Sequence, residues 1–180
     1  NKKDLVSNKR IANYDVVLFG YNRIGFNLLN AIQKAKKKCL VIDYNPQVIA
    51  SLPARKIPSL YGDANDIELL RSLKLENIGL IISTIPDLET NLTILEHIKN
   101  PETIFIPTSN NIFDTKKLYA EGADYVIMPH FLGGEYVADI LIKDDFNKKL
   151  LDKEVIKQLK ELDERLSKGH EHPRKDFHGS

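Results

Sequence analysis

The 180-residue chain has one cysteine, no tryptophan and almost no net charge. Because Cys39 has no second thiol to pair with, an internal disulfide is excluded, and its apolar surroundings predict a buried core residue in a reducing compartment. The 26 basic and 25 acidic side chains leave a formal net charge of +1, which excludes a strong overall field. No basic stripe interleaved with aromatic residues is present, so nucleic acid is not an expected partner.

The sequence also has no run of about 18 apolar residues, the length that a membrane-spanning helix needs, and no visible signal peptide. His170, His172 and His178 lie in a polar tail without acids or thiols at ligand spacing, so no metal site is expected. At 42% hydrophobic residues, a chain of this length buries one core. A separate catalytic domain is therefore not expected within these 180 residues.

Short apolar runs alternate with helical patterns across residues 13–142. This alternation predicts an α/β fold, a Rossmann-like, doubly wound parallel sheet of six strands covered on both faces. The predicted strands are Tyr14–Phe19, Cys39–Asp43, Ser59–Tyr61, Gly79–Ser83, Thr103–Pro107 and Tyr125–Met128. The predicted helices are Ile24–Lys37, Pro46–Leu52, Asn65–Leu73, Leu88–Ile98, Ile112–Glu121 and Leu132–Ile142.

The two ends of the chain differ from this core. Residues 1–12 are polar and are expected to be a linker, as in a module cut from a longer protein. Residues 143–168 carry leucines at helical spacing among dense charges, which predicts an extra, charged amphipathic helix. Its apolar stripe either folds back on its own domain or covers a partner or second copy. Residues 169–180 lack apolar periodicity and are expected to be disordered.

The segment from Tyr14 to Pro46 has the pattern of one mononucleotide-binding unit: strand, glycine turn, helix, second strand and terminal acid. Gly20 permits a tight exit from the first strand, and Gly25 lets the helix lie close to it. The helix N-terminus then offers unpaired N–H groups to phosphates. Asp43 follows the loop by about 20 residues, the offset of a carboxylate that binds ribose hydroxyls and repels a 2′-phosphate.

One position departs from the dinucleotide-binding fingerprint. Asn22 stands where the second glycine is expected and carries a side chain where a pyrophosphate must approach the backbone. Asn tolerates left-handed backbone, and its amide group is able to donate to a phosphate. The choice between a dinucleotide and a mononucleotide therefore stays open. A Rossmann-like fold that has lost its ligand is the alternative to nucleotide binding.

Two later motifs follow predicted strands at the edge where open parallel sheets bind ligands. Asp63 and Ala64 follow the third strand, and Thr84 and Ile85 follow the fourth. Asp63 either accepts a hydrogen bond from an exocyclic amine or caps the next helix. The same kind of choice holds for Arg23, which either pairs with phosphate or is a solvated residue of the first helical turn.

Four segments together resemble the nucleotide-binding half of TrkA-N/RCK-type cytosolic domains, which regulate potassium conductance and uptake. The resemblance covers about residues 13–142. The segments are Val41–Pro46, Tyr61–Ala64, Ser83–Asp87 and Gly122–Pro129. The run Pro129–Glu135 is similar to the segment that closes the domain in Kef-type monovalent cation:proton antiporters.

The resemblance implies an adenine nucleotide as ligand: NAD or NADH, or one of AMP, ADP and ATP. It places the phosphates on the glycine loop, the adenosine ribose on Asp43, the adenine edge on Asp63 and Ala64, and a floor at Thr84 and Ile85. It implies no catalytic residues. The expected cofactor-binding residues are Gly20, Tyr21, Asn22, Arg23, Ile24, Gly25, Asp43, Tyr44, Asp63, Ala64, Thr84 and Ile85.

The expected function is that of a regulatory module and not of an enzyme. A nucleotide-dependent change of shape, or of pairing in a homodimer, would regulate an attached K⁺ or Na⁺:proton antiporter at the cytoplasmic face of the membrane. A free-standing regulatory subunit of a potassium-uptake system is the first alternative. A NAD-dependent oxidoreductase is a weaker one, because it also needs a substrate pocket and a proton donor, and neither is visible.

Overall fold

A computed structural model describes residues 14–143 and 148–168. The predicted linker at residues 1–12 and the predicted tail at residues 169–180 lie outside the described residues. The strands are β1 (Val16–Phe19), β2 (Cys39–Asp43), β3 (Ser59–Tyr61), β4 (Leu80–Ser83) and β5 (Ile104–Ile106). The helices are α1 (Arg23–Lys34), α2 (Pro46–Ser51), α3 (Ile67–Ser72), α4 (Leu88–His97), α5 (Ile112–Glu121), α6 (Pro129–Lys143) and α7 (Lys148–Ser167). Short 3₁₀ turns cover Pro53–Arg55 and Leu75–Asn77.

The strands form one parallel sheet in the order β3-β2-β1-β4-β5. Phe19, the last residue of β1, is in register with Ile42 of β2 and Ser83 of β4. The order of the strands reverses between β1 and β4, so the crevice at which such sheets bind ligands lies where these two strands end. The expected α/β, doubly wound parallel fold is therefore confirmed.

Alternate residues of each central strand face opposite sides of the sheet, and both sides are covered. Val17 and Phe19 belong to one core cluster, with Leu70 of α3 and Ile94 of α4. The other cluster contains their neighbours in β1 together with side chains of α1: Val16, Leu18, Phe26, Leu29 and Ile32. Because β1 is buried on both faces, its sequence is apolar throughout, as expected for a central parallel strand.

The sixth predicted strand, Tyr125–Met128, is wrong as a strand. It is reduced to one parallel bridge between Thr108 and Ile127. The carboxylate of Asp124 accepts the Phe105 N–H at 2.7 Å, which a carbonyl of a sixth strand would otherwise take. Pro107 has no N–H to offer the next rung. The side chain of Asp124 and the proline together end the ladder after five strands.

Among the six helices predicted for residues 13–142, two bounds differ from the prediction by three residues, and the others by two or fewer. Helix α1 ends at Lys34, three residues before Lys37, because the backbone at Lys36 turns left-handed with a φ of 57°. Helix α6 begins at Pro129, three residues before Leu132. Proline is well tolerated in the first turn of a helix, where its missing N–H has no partner to lose.

The chain divides into two compact units, with the division after His130 in the first turn of α6. In the second unit, helix α7 lies within the segment predicted to be a charged amphipathic helix. The Tyr136 hydroxyl donates to the Glu154 carboxylate at 2.7 Å within this unit. No helix in the described segments combines the length and apolar character needed to cross a bilayer.

Burial of Cys39 generates a first prediction. Burial raises the pKa of its thiol from 9.0 to about 12. Between these values the unfolded chain binds fewer protons than the folded one, so the free energy of unfolding should fall with rising pH, by up to about 1.4 kcal/mol per unit. Urea denaturation from pH 8 to pH 11 measures this slope. The Cys39→Ala variant should show a shallower fall of the free energy of unfolding with pH. An identical slope in both proteins would contradict the raised pKa of Cys39.

The approach of α1 to β1 generates a second prediction. A Cβ at Gly25 would lie 2.6 Å from the carbonyl oxygen of Gly20, closer than real Cβ atoms come. Gly25→Ala should therefore lower the free energy of unfolding by about 1 to 3 kcal/mol in urea denaturation. The matched control is Gly79→Ala, whose Cβ would meet the Asp15 carbonyl oxygen at an ordinary 3.7 Å. Equal losses in both variants would show that the close approach is not what requires glycine.

Candidate functional site

The residues that follow β1, β2 and β4 meet at one edge of the sheet. Gly20 donates its N–H to Ile42 O at 2.8 Å, and Thr84 donates its N–H to Phe19 O at 2.9 Å. The N–H of Tyr21 reaches the Asp43 carboxylate at 2.7 Å. The structure thus brings together the loop, the acid and the Thr84 segment, which the sequence places more than 60 residues apart at their extremes.

Gly20 and Gly25 are glycines for separate physical reasons. Gly20 has a φ of +84°, and a Cβ there would lie 2.5 Å from the Thr84 hydroxyl oxygen. That hydroxyl instead donates to the Gly20 carbonyl oxygen at 2.8 Å. Gly25 lies directly against the same carbonyl group. The first turn of α1 therefore packs close to β1, as the sequence pattern predicts.

Asn22 is the N-cap of α1. Its Oδ1 accepts the N–H groups of Ile24 at 3.0 Å and Gly25 at 3.1 Å. Its Nδ2 donates to Thr84 O at 2.9 Å. The left-handed backbone considered for Asn22 does not occur, because its φ of −93° and ψ of −162° are extended. A single side chain thus joins α1 to the end of β4.

The Asp43 carboxylate is half-buried and held by two backbone donors. Its Oδ2 accepts from the Tyr21 N–H and its Oδ1 from the Asn45 N–H, both at 2.7 Å. An ionised carboxylate offers about four lone-pair positions, so these two bonds leave acceptor capacity on both oxygens. The acid is fixed in direction before any ligand arrives.

Tyr21 contributes its backbone and not its ring to this edge. The ring is buried, in the core cluster that contains Phe26. Arg55 donates to the Tyr21 hydroxyl, and its guanidinium lies 5.9 Å from the Tyr21 ring centroid and 5.3 Å from that of Phe26. Sequence reasoning missed Arg55, which holds the Tyr21 ring in place by this hydrogen bond and by cation–π contacts.

Three other predicted residues adjoin the loop or Asp43 in the sequence. Arg23 is exposed at the first position of α1, and Tyr44 is exposed just after β2. Ile24 is partly buried against the core cluster of α1, and its N–H is held by Asn22. Arg23 is therefore available to an anion at this edge, which leaves its phosphate role as a prediction.

Asp63 and Ala64 follow β3 next to Asp43, whose carbonyl accepts the Gly62 N–H at 3.0 Å. Ala64 is buried and Asp63 is exposed. The suggestion that Asp63 caps the next helix is wrong, because α3 begins at Ile67 and its N-cap is Asp66. Asp63 instead accepts the Asn65 N–H at 2.9 Å, in a local turn ahead of the helix.

A buried polar group beneath Thr84 and Ile85 was also missed. Asn91 of α4 is fully buried, and its Nδ2 donates to Ile85 O at 2.8 Å and Thr108 O at 3.1 Å. Thr108 in turn donates from its hydroxyl to Ser83 O at 2.8 Å. The sequence carries a signal for this buried group, because Asn91 is a polar residue on a helix face that is otherwise formed by leucines and isoleucines.

The start of α4 carries a negative charge at this edge. Asp87 accepts the Thr90 N–H at 2.8 Å and its hydroxyl at 2.6 Å, and these bonds hold the pKa of its carboxyl below the usual range. The N-terminus of α4 is thus closed by an anionic cap, whereas that of α1 is closed by a neutral one. Within residues 14–143 and 148–168, no cluster of three metal-ligating side chains occurs.

Residues 16–129 match the family model described as the TrkA-N domain. Potassium channel protein 1 of Methanocaldococcus jannaschii is 27% identical over 142 residues, which are 76% of this chain and 42% of that protein. The glutathione-regulated potassium-efflux system protein KefC of Escherichia coli is 30% identical over 84 residues, 47% of this chain and 14% of the relative. The chain therefore spans less than half the length of either relative.

Solved structures share the fold at lower identity. The TrkA-N domain of the inner membrane protein ybaL from Escherichia coli aligns with a TM-score of 0.65 at 23% identity, over 72% of this chain and 96% of that one. The Kef CTD of Shewanella denitrificans in its AMP-bound form aligns with a TM-score of 0.60 at 18% identity, over 86% of this chain and 94% of that one. The GsuK channel bound to NAD aligns with a TM-score of 0.54 at 18% identity, over 65% of this chain and 21% of that one.

The family model covers the whole sheet, from β1 through the loop after β5, and includes each of the residues expected at the site. The resemblance drawn from the sequence motifs is therefore confirmed at the level of the family. The relatives include both a potassium channel and a potassium-efflux protein, so they do not separate these two branches. The chain belongs to the TrkA-N domain family.

Proposed function

We propose that this chain is a regulatory domain that binds an adenine nucleotide at the carboxyl edge of its sheet and thereby biases an attached monovalent cation transporter. The observation that carries the proposal is the Asp43 carboxylate, held by two backbone N–H groups beside the glycine turn. Its position suits the two hydroxyls of an adenosine ribose, and its charge disfavours a 2′-phosphate.

The names of related structures support an adenine nucleotide. The Kef CTD is described in an AMP-bound form, and the GsuK channel is described bound to NAD and bound to ADP. In this chain we assign the phosphates to the loop from Gly20 to Gly25, the adenine edge to Asp63 and Ala64, and the floor to Thr84 and Ile85. Together with Asp43, these residues lie at the ends of the first four strands or on the loops that follow them.

The proposed action requires binding and no chemistry. A nucleotide that touches both the Asp43 loop and the Gly20–Gly25 loop favours the conformation in which the two loops are correctly spaced. If the two states of the transporter place those loops differently, the nucleotide shifts their balance, and a coupling of about 1 to 3 kcal/mol changes activity severalfold or more. We assign the attached transporter to the Kef-type cation:proton antiporters, at the cytoplasmic face of the membrane.

Pairing of two copies is part of the same proposal. Helix α7 exposes a stripe of apolar side chains with 4-3-4 spacing, which is typical of a helix–helix seam. Its members are Val155, Leu159, Leu162 and Leu166. Dense charges of both signs flank the stripe. A second copy of the same helix offers a matching surface.

The ribose site is tested by calorimetric titration with AMP, ADP, ATP, NAD and NADH. At least one should bind, and Asp43→Ala should weaken it by about 30-fold or more, because two charge-assisted hydrogen bonds are lost. The matched control is Asp15→Ala: Asp15 also accepts a backbone N–H, from Lys38 at 2.8 Å, but it precedes β1 at the opposite edge. Failure of all five ligands on folded protein, or equal effects of both variants, would contradict the site.

Pairing is tested by size-exclusion chromatography with light scattering, with and without nucleotide. The expected mass is twice that of the monomer at high protein concentration. Leu159→Lys, in the middle of the stripe, should shift the mass toward monomer, because it places a charge in the apolar seam. Lys160→Ala, on the same helix but outside the stripe, should not. A monomer under every condition would contradict this part of the proposal.

A further inference from the structure

We infer that Asn22 selects among adenine nucleotides, because its carboxamide bridges the two sides of the crevice and so favours adenosine mononucleotides over dinucleotides. The inference rests on the nucleotide site proposed above and names the class of ligand that it takes. The residue concerned is the one at which the loop departs from the dinucleotide fingerprint.

Both ends of the Asn22 side chain are engaged. Oδ1 accepts from Ile24 N at 3.0 Å and from Gly25 N at 3.1 Å, which are donors at the N-terminus of α1. Nδ2 donates to Thr84 O at 2.9 Å, across the crevice at the end of β4. Because the carboxamide is planar and rigid, these bonds form one fixed link between the two walls.

The link is anchored and unstrained. Asn22 has extended backbone dihedral angles that any residue adopts. Thr84 is buried, and its hydroxyl donates to Gly20 O at 2.8 Å and to Phe19 O at 3.2 Å. The carbonyl group that receives the Asn22 amide is therefore part of the rigid floor. Opening the link breaks the hydrogen bond from Asn22 to Thr84 O.

The remaining donors suit one phosphate. The backbone N–H groups of Asn22 and Arg23, at the mouth of the loop where α1 begins, have no acceptor among the described residues. Arg23 itself is exposed. The next two N–H groups, of Ile24 and Gly25, are already taken. The Asn22 cap is also neutral, unlike the carboxylates of Asp66 and Asp87 on α3 and α4, so it does not repel an anion.

A dinucleotide has to occupy a longer path across this crevice than a mononucleotide does. In folds of this kind it runs from the acid after β2, across the N-terminus of α1, to the end of β4. Here that path crosses the bond from Asn22 to Thr84. A mononucleotide with its ribose on Asp43 and one phosphate at the loop mouth stays on one side of the link. A dinucleotide has to break it.

Two substitutions separate this selective role from simple helix capping. Asn22→Gly removes both the cap and the bridge and restores the glycine of the fingerprint. Asn22→Ser keeps a capping oxygen but is too short to reach Thr84. If Asn22 acts only as a cap, the serine variant behaves like the wild type. If it selects ligands through the bridge, both variants change the preference in the same direction.

The experiment is calorimetric titration of the wild type and both variants with AMP and with NAD, on protein shown to be folded by circular dichroism. We expect the wild type to bind AMP at least about tenfold more tightly than NAD. Both variants should narrow that ratio by about tenfold, because the hydrogen bond to Thr84 no longer opposes the dinucleotide. The change should come chiefly from tighter NAD binding, with AMP binding changed by less than about threefold.

The outcomes separate this inference from the function on which it rests. Binding of both ligands that depends on Asp43, with a ratio unchanged by either variant, overturns the selective role of Asn22 and leaves the nucleotide site intact. A wild type that prefers NAD also overturns the selective role. Failure of AMP and NAD to bind any of the three folded proteins overturns both the inference and the nucleotide site.

Discussion

The rest of the site depends on how closely the first turn of α1 approaches the end of β1. That approach requires glycine at 25, where a Cβ would collide with the Gly20 carbonyl oxygen, and a positive φ at Gly20. It brings the amino end of a helix, with its partial positive charge, to the point where the strand order reverses. It also brings Gly20 against Thr84, so the floor of the crevice belongs to the same tightly packed unit.

Short polar side chains then organise this edge before any ligand arrives. Asp43, Asn22 and Asp63 each accept backbone N–H groups of their own or a neighbouring loop. These bonds order the loops during folding, so a ligand that binds later loses little free energy in ordering them. They also mean that a ligand competes with the protein for some of the same donors. At Asp43 spare acceptor positions remain, whereas at the start of α1 the Asn22 side chain already engages the N–H groups of Ile24 and Gly25.

Much of this architecture was readable from the sequence, and the failures have local causes. Helix α5 has the predicted bounds because Asn111 caps its start and Gly122, with a φ of +112°, ends it. The strand–loop–helix–strand unit was found because its glycines and acid have separate physical tasks. The sixth strand was not excluded, since nothing in the pattern shows that Asp124 would reach back to the Phe105 N–H. The role of Asn22 was missed for the same reason: its partner at Thr84 is 62 residues away.

The buried amide of Asn91 extends the consequences of binding beyond the crevice. It joins the carbonyl groups of Ile85 and Thr108, and the N–H of Ser109 then reaches Ile127 O at 2.9 Å, just before α6 begins. Its Oδ1 is buried without a hydrogen-bond partner among the described residues, so this junction is less completely satisfied than the edge above it. One side chain therefore joins two loops through its nitrogen while its oxygen stays unsatisfied, which makes Asn91 the costly point of this buried network. If the proposed nucleotide rests on Thr84 and Ile85, the carbonyl group of Ile85 links it through the Asn91 amide to Thr108, in the loop that follows β5.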